Sequence, residues 1–472
     1  MGIFKYNTWI RNTFPNCIIN KKKLKFDHVY IDVNYLLHLS MYQTTNNEEF
    51  FKKLFTLIDY IIINCYSTKT IMFSVDGASP YSKIILQRKR RFNNVSNINM
   101  DNLNSLHLTP GTDLMNSIES KLNEYVNKKK NWFKFRKIKF IISSPNIPGE
   151  GEIKIIKKIK KIAKKNKNES HLIIGNDADL IVISMACTYS KKIYIMLKNK
   201  YENIIISVEK LIDDLSNSIN KKINKKIYNK KLRTDFSIIS ILNGNDYIPK
   251  LKFSNNEILW YAYLKTKNKR KDYLINKGIF NKIFLKEFIT NLLVIMKPRY
   301  NKFNIKEFNK KYIENYLQAL LWCNNMYKNG CCSMFDFMCH EVSPKPIDVL
   351  HYLLINKNIN LIIPKSNTKP INTSIYPLLL LPKKASDLIP NKFKSILNTK
   401  LNYLYKNEEC EFCNSINKKI KIKKSSLDND FSINDKILNE IKELNSQLKT
   451  HKKTHKFKFN INDINYIVSL QK

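Results

Sequence analysis

Carboxylates beside apolar runs are the feature of this sequence with the clearest chemical meaning, because isolated charged carboxylates are costly to bury. Asp177 and Asp179 stand two residues apart in the stretch HLIIGNDADLIVIS at 171–184. Similar acidic islands recur along the chain, next to apolar runs or glycine turns. Their acids are Asp32 (YIDVN), Asp76 (SVDGASP), Glu150 and Glu152 (PGEGE), Asp177 and Asp179 (GNDADL) and Asp246 (LNGNDYIP). If these acids converge on one sheet edge, their mutual repulsion requires cations among them.

Each acid also has a purely structural interpretation when it is taken alone. An aspartate at a strand end can cap the next helix, and Glu150 and Glu152 suit the positive end of a helix dipole. Together, the acids favour hard divalent cations such as Mg²⁺ or Mn²⁺, which select oxygen ligands. Two such ions suit in-line displacement at phosphorus, since one activates water and the other stabilises the leaving oxygen. The pattern therefore predicts a two-metal site for phosphoryl chemistry.

A basic stretch, SKIILQRKRRF, contains three of the eight arginines in the chain. If it is helical, four of its residues follow one another at spacings of 4, 3 and 1 and lie near one face. These residues are Lys83, Gln87, Arg90 and Arg91. A solvated basic face is the ordinary alternative. Because arginine is scarce elsewhere and its guanidinium fork binds phosphate oxygens bidentately, the clustering favours a phosphate pocket.

The composition indicates an anionic partner. The 472 residues include 82 Lys or Arg against 39 Asp or Glu, for a net charge of +43. Such a balance favours nucleic acid, although Lys, Asn and Ile are frequent throughout, as in a translated AT-rich genome. No apolar run approaches the roughly 18 residues of a membrane span, and a signal-peptide core is missing. We expect a monomeric, intracellular protein with no membrane partner, cytoplasmic rather than nuclear, although KKIKIKK at 418–424 resembles a nuclear signal.

The nine cysteines are scattered, as is typical of reduced thiols in a cytosol-like compartment. Cys410 and Cys413 form a CxxC pair, and His451 and His455 follow downstream. The 37 residues at 414–450 that separate the two pairs exceed the usual spacing of a zinc finger. The spacing alone therefore argues against zinc, and it leaves open whether these four side chains bind a metal.

The order of patterns along the chain predicts an α/β fold, with a mostly parallel central sheet flanked by helices. Strand patterns at 28–33, 70–77, 137–144, 171–175 and 192–198 alternate with helical patterns. The functional crevice of such a sheet lies outside the carboxyl ends of its strands, where several of the acids fall. The predicted ranges are an α/β core at 1–265 with a Lys/Asn-rich insertion at 216–232, a linker at 266–294, a mainly helical region at 295–405 and a basic, partly flexible tail at 406–472.

In this order the motifs resemble the XRN-type 5′→3′ exoribonucleases, within the flap-endonuclease and PIN-like nucleases. The resemblance rests on MGIFKYNTWIRNTFP, YIDVNYLLH, VDGASPYSKIILQRKRRF, LTPGTDLM, IPGEGEIKII, HLIIGNDADLIVIS, ILNGNDYIPKL, YLQALLWCNNMYKNG and PLLLLPKKASDLIP. The last two are similar to the family's second conserved region, so the resemblance covers residues 1 to about 400. It implies a compact version of the family, of a kind expected in a virus or a parasite.

The resemblance also implies an activity and residue roles. The activity is hydrolysis of single-stranded RNA from a 5′-monophosphate end, which releases nucleoside 5′-monophosphates with the help of two Mg²⁺ or Mn²⁺ ions. The seven acids named above match the metal-binding and catalytic acids of the family. His38 matches a histidine that stacks on the first base. The residues that match the 5′-phosphate pocket are Lys83, Gln87, Arg90 and Arg91.

One departure concerns base stacking, because the tryptophan that the family places opposite the stacking histidine is missing. Phe335 or Phe337 is the expected substitute, since stacking tolerates any aromatic face. Two other functions remain open: a structure-specific 5′ DNA or flap nuclease, and an inert RNA-binding scaffold. The presence of all seven acids disfavours the scaffold.

Overall fold

The computed structural model describes residues 3, 5–19, 24–94, 102–198, 203–220, 229–296, 309–356, 361–406, 408, 410–426, 431–452, 454–455 and 457–470. Contacts within the chain define two compact units. Unit 1 comprises Met1–Lys83 and Ser117–Ile371, and unit 2 comprises Ile84–Asn116 and Asn372–Lys472. None of the helices in these described ranges is both long enough and apolar enough to cross a membrane.

The elements of the described residues are as follows. The strands are β1 (Ile18–Ile19), β2 (Leu24–Asp32), β3 (Cys65–Ser74), β4 (Lys139–Ser143), β5 (His171–Gly175), β6 (Ile193–Lys198), β7 (Asn203–Ser207), β8 (Ile275–Asn276) and β9 (Ile279–Phe280). The helices are α1 (Tyr6–Thr13), α2 (Val33–Met41), α3 (Asn47–Asn64), α4 (Tyr81–Asn94), α5 (Asp113–Lys130), α6 (Gly151–Ala163), α7 (Asp179–Ala186), α8 (Val208–Asn220), α9 (Asn229–Ile241), α10 (Asn256–Lys269), α11 (Lys282–Met296), α12 (Lys310–Asn329), α13 (Pro346–Ile355), α14 (Tyr376–Leu380), α15 (Lys394–Asn398), α16 (Glu411–Ser425), α17 (Phe431–Lys452) and α18 (Ile461–Ser469).

A seven-stranded sheet organises unit 1, in the order β1-β7-β6-β5-β2-β3-β4. The strands from β6 to β4 in this order pair in parallel, whereas β7 is antiparallel to both of its neighbours. Every residue of β5 is buried, as expected of a parallel strand that helices cover on both faces. The predicted α/β class with a mostly parallel sheet is confirmed.

The path of the chain through the sheet creates a crevice at the carboxyl ends of the strands. From β2 the chain moves outward to β3 and β4, and it then returns to β5 on the other side of β2. Connections that leave two neighbouring strands in opposite directions open a crevice between them, which is where ligands bind in such sheets. Asp32 pairs with Ser74, and Ser74 with Ser143, so these three strands end at the same level. Residues that follow β2, β3, β4 and β5 therefore share one edge.

Two stacked histidines lie within the sheet. The rings of His28 on β2 and His171 on β5 are 5.2 Å apart and nearly parallel. His28 Nε2 lies 2.9 Å from a carboxylate oxygen of Glu169, and the Tyr30 hydroxyl lies 3.0 Å from His171 Nδ1. Burial, and after it the neighbouring His28, lower the pKa of His171 to about 3. His171 therefore stays neutral in the folded protein and takes up a proton only on unfolding.

This histidine predicts a pH dependence of stability. Between pH 6.5 and about 3 the unfolded chain binds the His171 proton and the folded chain does not, so the free energy of unfolding falls as the pH falls. One such proton contributes a slope of about 1.4 kcal/mol per pH unit. From pH 7 to pH 4 the free energy of unfolding in urea should fall more steeply in the wild type than in His171→Gln, by about this slope, because carboxyls with raised pKa values such as Asp235 contribute equally to both proteins. An exposed histidine, His340, supplies the control, and His340→Gln should keep the wild-type slope.

Unit 2 is held by a buried arginine from the basic stretch. Arg88, which is 4% exposed, donates to the Leu379 carbonyl at 2.9 Å and to the Leu404 carbonyl at 2.8 Å. Its guanidinium also lies 4.1 Å from the ring centroid of Phe92 and 4.5 Å from that of Phe459. Arg88 is therefore a structural residue, although it belongs to the cluster that the sequence associates with phosphate.

The structure groups the chain differently from the predicted ranges. The predicted linker at 266–294 contains most of α11, whose Phe284, Leu285 and Phe288 are buried in the core of unit 1. The regularly spaced apolar residues of α11 pack into the core, although the polar residues before the helix had suggested a linker. The predicted flexible tail contains α16, α17 and α18. Of the predicted insertion at 216–232, residues 221–228 lie outside the described part of the chain, and its flanks belong to α8 and α9.

Candidate active site

Six of the seven predicted acids occupy the carboxyl edge of the sheet because each follows a strand or begins a helix there, and Asp246 reaches it from the loop after α9. Asp32 is the last residue of β2, and its side chain caps α2 by accepting the N–H of Asn34 at 3.2 Å. Asp76 follows β3. Four further acids lie where helices begin: Glu150 and Glu152 at the start of α6, and Asp177 and Asp179 at the start of α7. Asp246 lies in the loop after α9.

Gly151 brings two of the strand ends together. Its N–H donates to Asp76 Oδ1 at 2.6 Å. A Cβ atom at this position would lie 3.1 Å from Asp32 Oδ1 and 3.3 Å from Asp76 Oδ1. Both distances are tighter than ordinary van der Waals contact, so a larger residue would push the two carboxylates from their positions over the first turn of α6. The PGEGE motif therefore has a spatial reason for its second glycine.

Asp177 and Asp179 are fixed by backbone donors. Asp177 Oδ1 accepts the N–H of Asp179 at 3.1 Å, and Asp179 Oδ1 accepts the N–H of Ile3 at 2.9 Å. The amino-terminal segment thus supplies a donor to the acidic edge across 176 positions of sequence. Spacing along the chain contains no signal for this contact.

The electrostatics show that the acids act on one another. Burial raises the pKa of Asp32 well above its usual value, and Asp76 raises it further. Burial likewise raises the pKa of Glu152 and of Asp179 well above the usual range, and in both cases the next contribution is Asp177. Buried carboxylates with raised pKa values in a crevice are typical of functional sites. The structure brings all seven predicted acids together, and their catalytic role stays a prediction.

Lys83 is a positive partner within this acidic edge. Its ammonium forms an ion pair with Glu150 and lies 3.0 Å from Asp246 Oδ2, and all three side chains are largely buried. Burial alone would lower the pKa of Lys83, but the two carboxylates outweigh it and hold that pKa well above its usual value. The sequence predicted Lys83 only as a phosphate ligand, and the structure also places it among the acids.

Three further residues that position the site were missed by the sequence analysis. The Asn34 side chain accepts the N–H of Asp76 at 2.8 Å, and the Tyr247 hydroxyl donates to Glu150 Oε2 at 2.5 Å. Lys154 donates to the carbonyls of Val75 and Ser144, and burial lowers its pKa to about 8. All three residues lie within two positions of a predicted acid, and this proximity in sequence was the signal that could have identified them.

The predicted phosphate-binding residues all lie on α4 and divide between the two units. Lys83 belongs to unit 1, whereas unit 2 contains Gln87, Arg90 and Arg91. Within unit 2, Gln87 Oε1 accepts the Tyr376 hydroxyl at 2.8 Å, and Arg91 Nε donates to Thr109 Oγ1 at 3.1 Å. Both side chains are half-buried and held in place. Their phosphate-binding role stays a prediction.

The aromatic residues expected to stack on the first base differ in exposure. His38 is exposed in the last turn of α2. Phe337 is only 6% exposed, and its ring packs 5.2 Å from that of Trp322 in the core. Phe337 is therefore a core residue, whereas Phe335 keeps partial exposure.

The residues present fit hard divalent cations. The donor set at the sheet edge consists of carboxylate oxygens, which are the ligands that Mg²⁺ and Mn²⁺ select. Burial and mutual repulsion raise the pKa values of Asp32, Glu152 and Asp179, and for Asp179 they outweigh the ammonium of Lys83. Added positive charge would relieve that repulsion.

In sequence, this chain is similar to a group of nucleases. Residues 1–103 and 94–200 match the family described as "XRN 5'-3' exonuclease N-terminus". The 5'-3' exoribonuclease 1 of Schizosaccharomyces pombe is 25% identical over 331 residues, which cover 60% of this chain and 25% of that protein. The 5'-3' exoribonuclease 2 of Arabidopsis thaliana is 28% identical over 204 residues, which cover 35% of this chain and 20% of that protein. The chain thus spans about a quarter or less of the length of these curated relatives.

Among solved structures, the catalytic core of Rad2 in complex with a DNA substrate covers 75% of this chain and 94% of that chain. The identity is 14% and the TM-score is 0.38, a likeness that bears on neither activity nor substrate.

Proposed function

We propose that this chain, whose residues 1–103 and 94–200 match the amino-terminal region of the XRN exonucleases, is a divalent-metal-dependent 5′→3′ exoribonuclease. Its substrate is single-stranded RNA with a 5′-monophosphate, and its products are nucleoside 5′-monophosphates. The observation that carries the proposal is the convergence of seven acids from the ends of four adjacent strands and from the loop after α9. The relatives named above, which are called 5'-3' exoribonucleases, support the direction of attack and the choice of RNA.

The acids at the sheet edge would hold two Mg²⁺ or Mn²⁺ ions. When bound, such ions activate water and stabilise the departing oxygen of an in-line displacement. The residues of the chain prepare the edge for this chemistry. Asn34 and Gly151 hold Asp76 between two fixed hydrogen bonds, and the N–H of Ile3 orients Asp179. Tyr247 orients Glu150 through the hydrogen bond that its hydroxyl donates to the carboxylate.

The basic residues of α4 supply the proposed 5′ specificity. A terminal phosphate monoester carries more negative charge than an internal phosphodiester, and it offers three oxygens to guanidinium and ammonium donors. Lys83, Gln87, Arg90 and Arg91 would bind this group, and His38 would stack on the base that follows. The net charge of +43 favours long-range attraction of the RNA chain.

A time course on one unstructured RNA tests the proposal. The RNA carries either a 5′-monophosphate or a 5′-hydroxyl, and each form is incubated with Mg²⁺ or with EDTA. Mononucleotides released only from the phosphorylated RNA, and only with Mg²⁺, are the expected result. A matched single-stranded DNA and a DNA flap are run in parallel. Preferential cutting of the flap would replace the proposal with a DNA nuclease, and binding without cleavage of any substrate would indicate a scaffold.

Arg91→Ala should weaken the preference for the 5′-phosphate over the 5′-hydroxyl. A hydrogen bond to a charged group contributes about 1.5–3 kcal/mol, so the ratio of the two kcat/KM values should fall by roughly 10- to 100-fold. The exposed Arg136 supplies a matched control of equal charge, and Arg136→Ala should keep the wild-type ratio. Unchanged discrimination in Arg91→Ala would remove Arg91 from the pocket.

A further inference from the structure

Four side chains of unit 2 converge at one point, although two long helices separate them in sequence. They are Cys410, Cys413, His451 and His455, and one ligand atom from each lies within 4.8 Å of the others. Cys410 Sγ is 3.3 Å from His451 Nε2, and Cys413 Sγ is 3.5 Å from His455 Nε2. The long spacing, which argued against zinc, is therefore no obstacle.

The helices explain why the spacing was misleading. Cys410 is the N-cap of α16, and Cys413 lies in its first turn. His451 is in the last turn of α17, and His455 follows that helix. The two helices pack along a small apolar core, so the start of α16 and the end of α17 meet although 37 residues separate the two ligand pairs. Two antiparallel helices between the ligand pairs lengthen the spacing in sequence but leave the pairs close together in space.

The distances suit a tetrahedral ion. With Zn–S near 2.3 Å and Zn–N near 2.0–2.1 Å, tetrahedral angles place a sulfur and a nitrogen ligand roughly 3.5 Å apart. The two observed sulfur–nitrogen distances, 3.3 and 3.5 Å, agree with this value. A thiol donating to an imidazole explains one pair of atoms at a time. It gives no reason for two such pairs to share one small volume.

We propose that Cys410, Cys413, His451 and His455 form a structural Zn²⁺ site. Two cysteines and two histidines are a donor set that selects Zn²⁺, and the CxxC and HxxxH spacings are those of such sites. The protein supplies all four ligands of a tetrahedral ion, so no position is open for substrate and the site is structural rather than catalytic.

The small core around the cluster indicates that the ion would stabilise the packing of α16 against α17. The core between α16 and α17 consists of a few side chains: Cys413, Ile416, Ile420, Ile441 and Leu448. Cores of this size rarely hold a helical pair alone, and small units often use a metal as a staple. The ion would tie the start of α16 to the end of α17, as the ring of Phe412, 4.2 Å from that of His451, does more weakly. This proposal is independent of the proposed nuclease function.

Zinc content of the full chain is the first test. The protein is purified without a histidine tag or a chelator, under reducing conditions, and dialysed against Mg²⁺. Elemental mass spectrometry should find about one zinc per chain, as four protein ligands predict. Cys413→Ser and His451→Gln should each lower the zinc affinity by roughly 100-fold or more. The exposed Cys331 lies outside the cluster, and Cys331→Ser should retain zinc.

Cobalt substitution of the wild type provides a second readout that does not depend on the folding of a variant. Co²⁺ in the cluster should show a thiolate charge-transfer band together with the d–d bands of tetrahedral geometry. The carboxylate site in unit 1 contains no thiolate ligand among its predicted residues, so that band reports on the cluster alone. A zinc-free wild type that shows no such band, a Cys410–Cys413 disulfide in the freshly isolated protein, or zinc retained by the Cys410→Ser/Cys413→Ser double variant would overturn the proposal.

Discussion

Asp179→Asn is expected to abolish cleavage of both the 5′-phosphate and the 5′-hydroxyl RNA. Loss of one preorganised electrostatic group of an active site lowers kcat by roughly 10²–10³-fold or more. Asparagine keeps the size of the side chain and an oxygen that can still accept the N–H of Ile3, so the change removes mainly charge. Single-turnover cleavage with saturating Mg²⁺ measures the effect. Asp213→Asn, which replaces an exposed acid on α8, should keep wild-type activity.

The same variant distinguishes a lost metal ligand from a lost fold. Burial and Asp177 raise the pKa of Asp179, so its charge costs folding free energy in the metal-free protein. This cost is present when the carboxyl is ionised and disappears as the pH falls and the carboxyl takes up a proton. In EDTA at pH 8, Asp179→Asn should therefore unfold at an equal or higher temperature than the wild type, and the gap should close at acidic pH. An inactive variant that also melts early would indicate misfolding.

Lys83→Met should produce the largest change in stability. The substitution leaves Glu150 and Asp246 buried without the ammonium that now lies between them. Removing one partner of a buried ion pair costs about 3–5 kcal/mol. Urea unfolding in EDTA should show a loss of this size. Mg²⁺ should restore more stability to the variant than it adds to the wild type, because divalent ions at the acidic edge replace the missing charge.

Lys129 provides the matched control for this experiment. Its ammonium is also buried and paired with a carboxylate, Asp59, which is about one-third exposed. Lys129→Met should therefore cost less stability, and the cost should be the same with Mg²⁺ and with EDTA. If Mg²⁺ restored Lys83→Met and Lys129→Met equally, the ions would not bind beside Lys83.

The Lys83 result also bears on how the proposed site changes on loading. The ammonium of Lys83 pairs with two of the acids, Glu150 and Asp246. If two divalent ions bound at the edge, as proposed, the attraction that holds Lys83 to Glu150 and Asp246 would weaken, and the ammonium would become available to a substrate phosphate. Lys83 would then pair with the acids in the metal-free protein and bind the substrate phosphate in the metal-loaded protein.

The sequence by itself determined the class of fold and the position of the acids. Both are local properties: apolar runs of strand length alternate with helical patterns, and an acid that directly follows such a strand lies at the carboxyl edge of a parallel sheet. The location of Asp32, Asp76 and Asp177 could be predicted from the sequence alone, because the carboxyl ends of parallel strands lie at the same edge of the sheet. The CxxC and the HxxxH motifs were equally visible, but nothing local stated that they meet.

Only the tertiary structure decided which partner each of these groups has. Lys83 contacts Glu150 and Asp246 from a different element, and the N–H of Ile3 reaches Asp179. Arg88 donates to two backbone carbonyls. Cys410 and His451 meet because two helices fold back on each other. In each case the contact joins residues far apart in sequence, and its geometry depends on the packing of whole elements. Spacing along the chain reports the distance between residues only while they share one helix or strand.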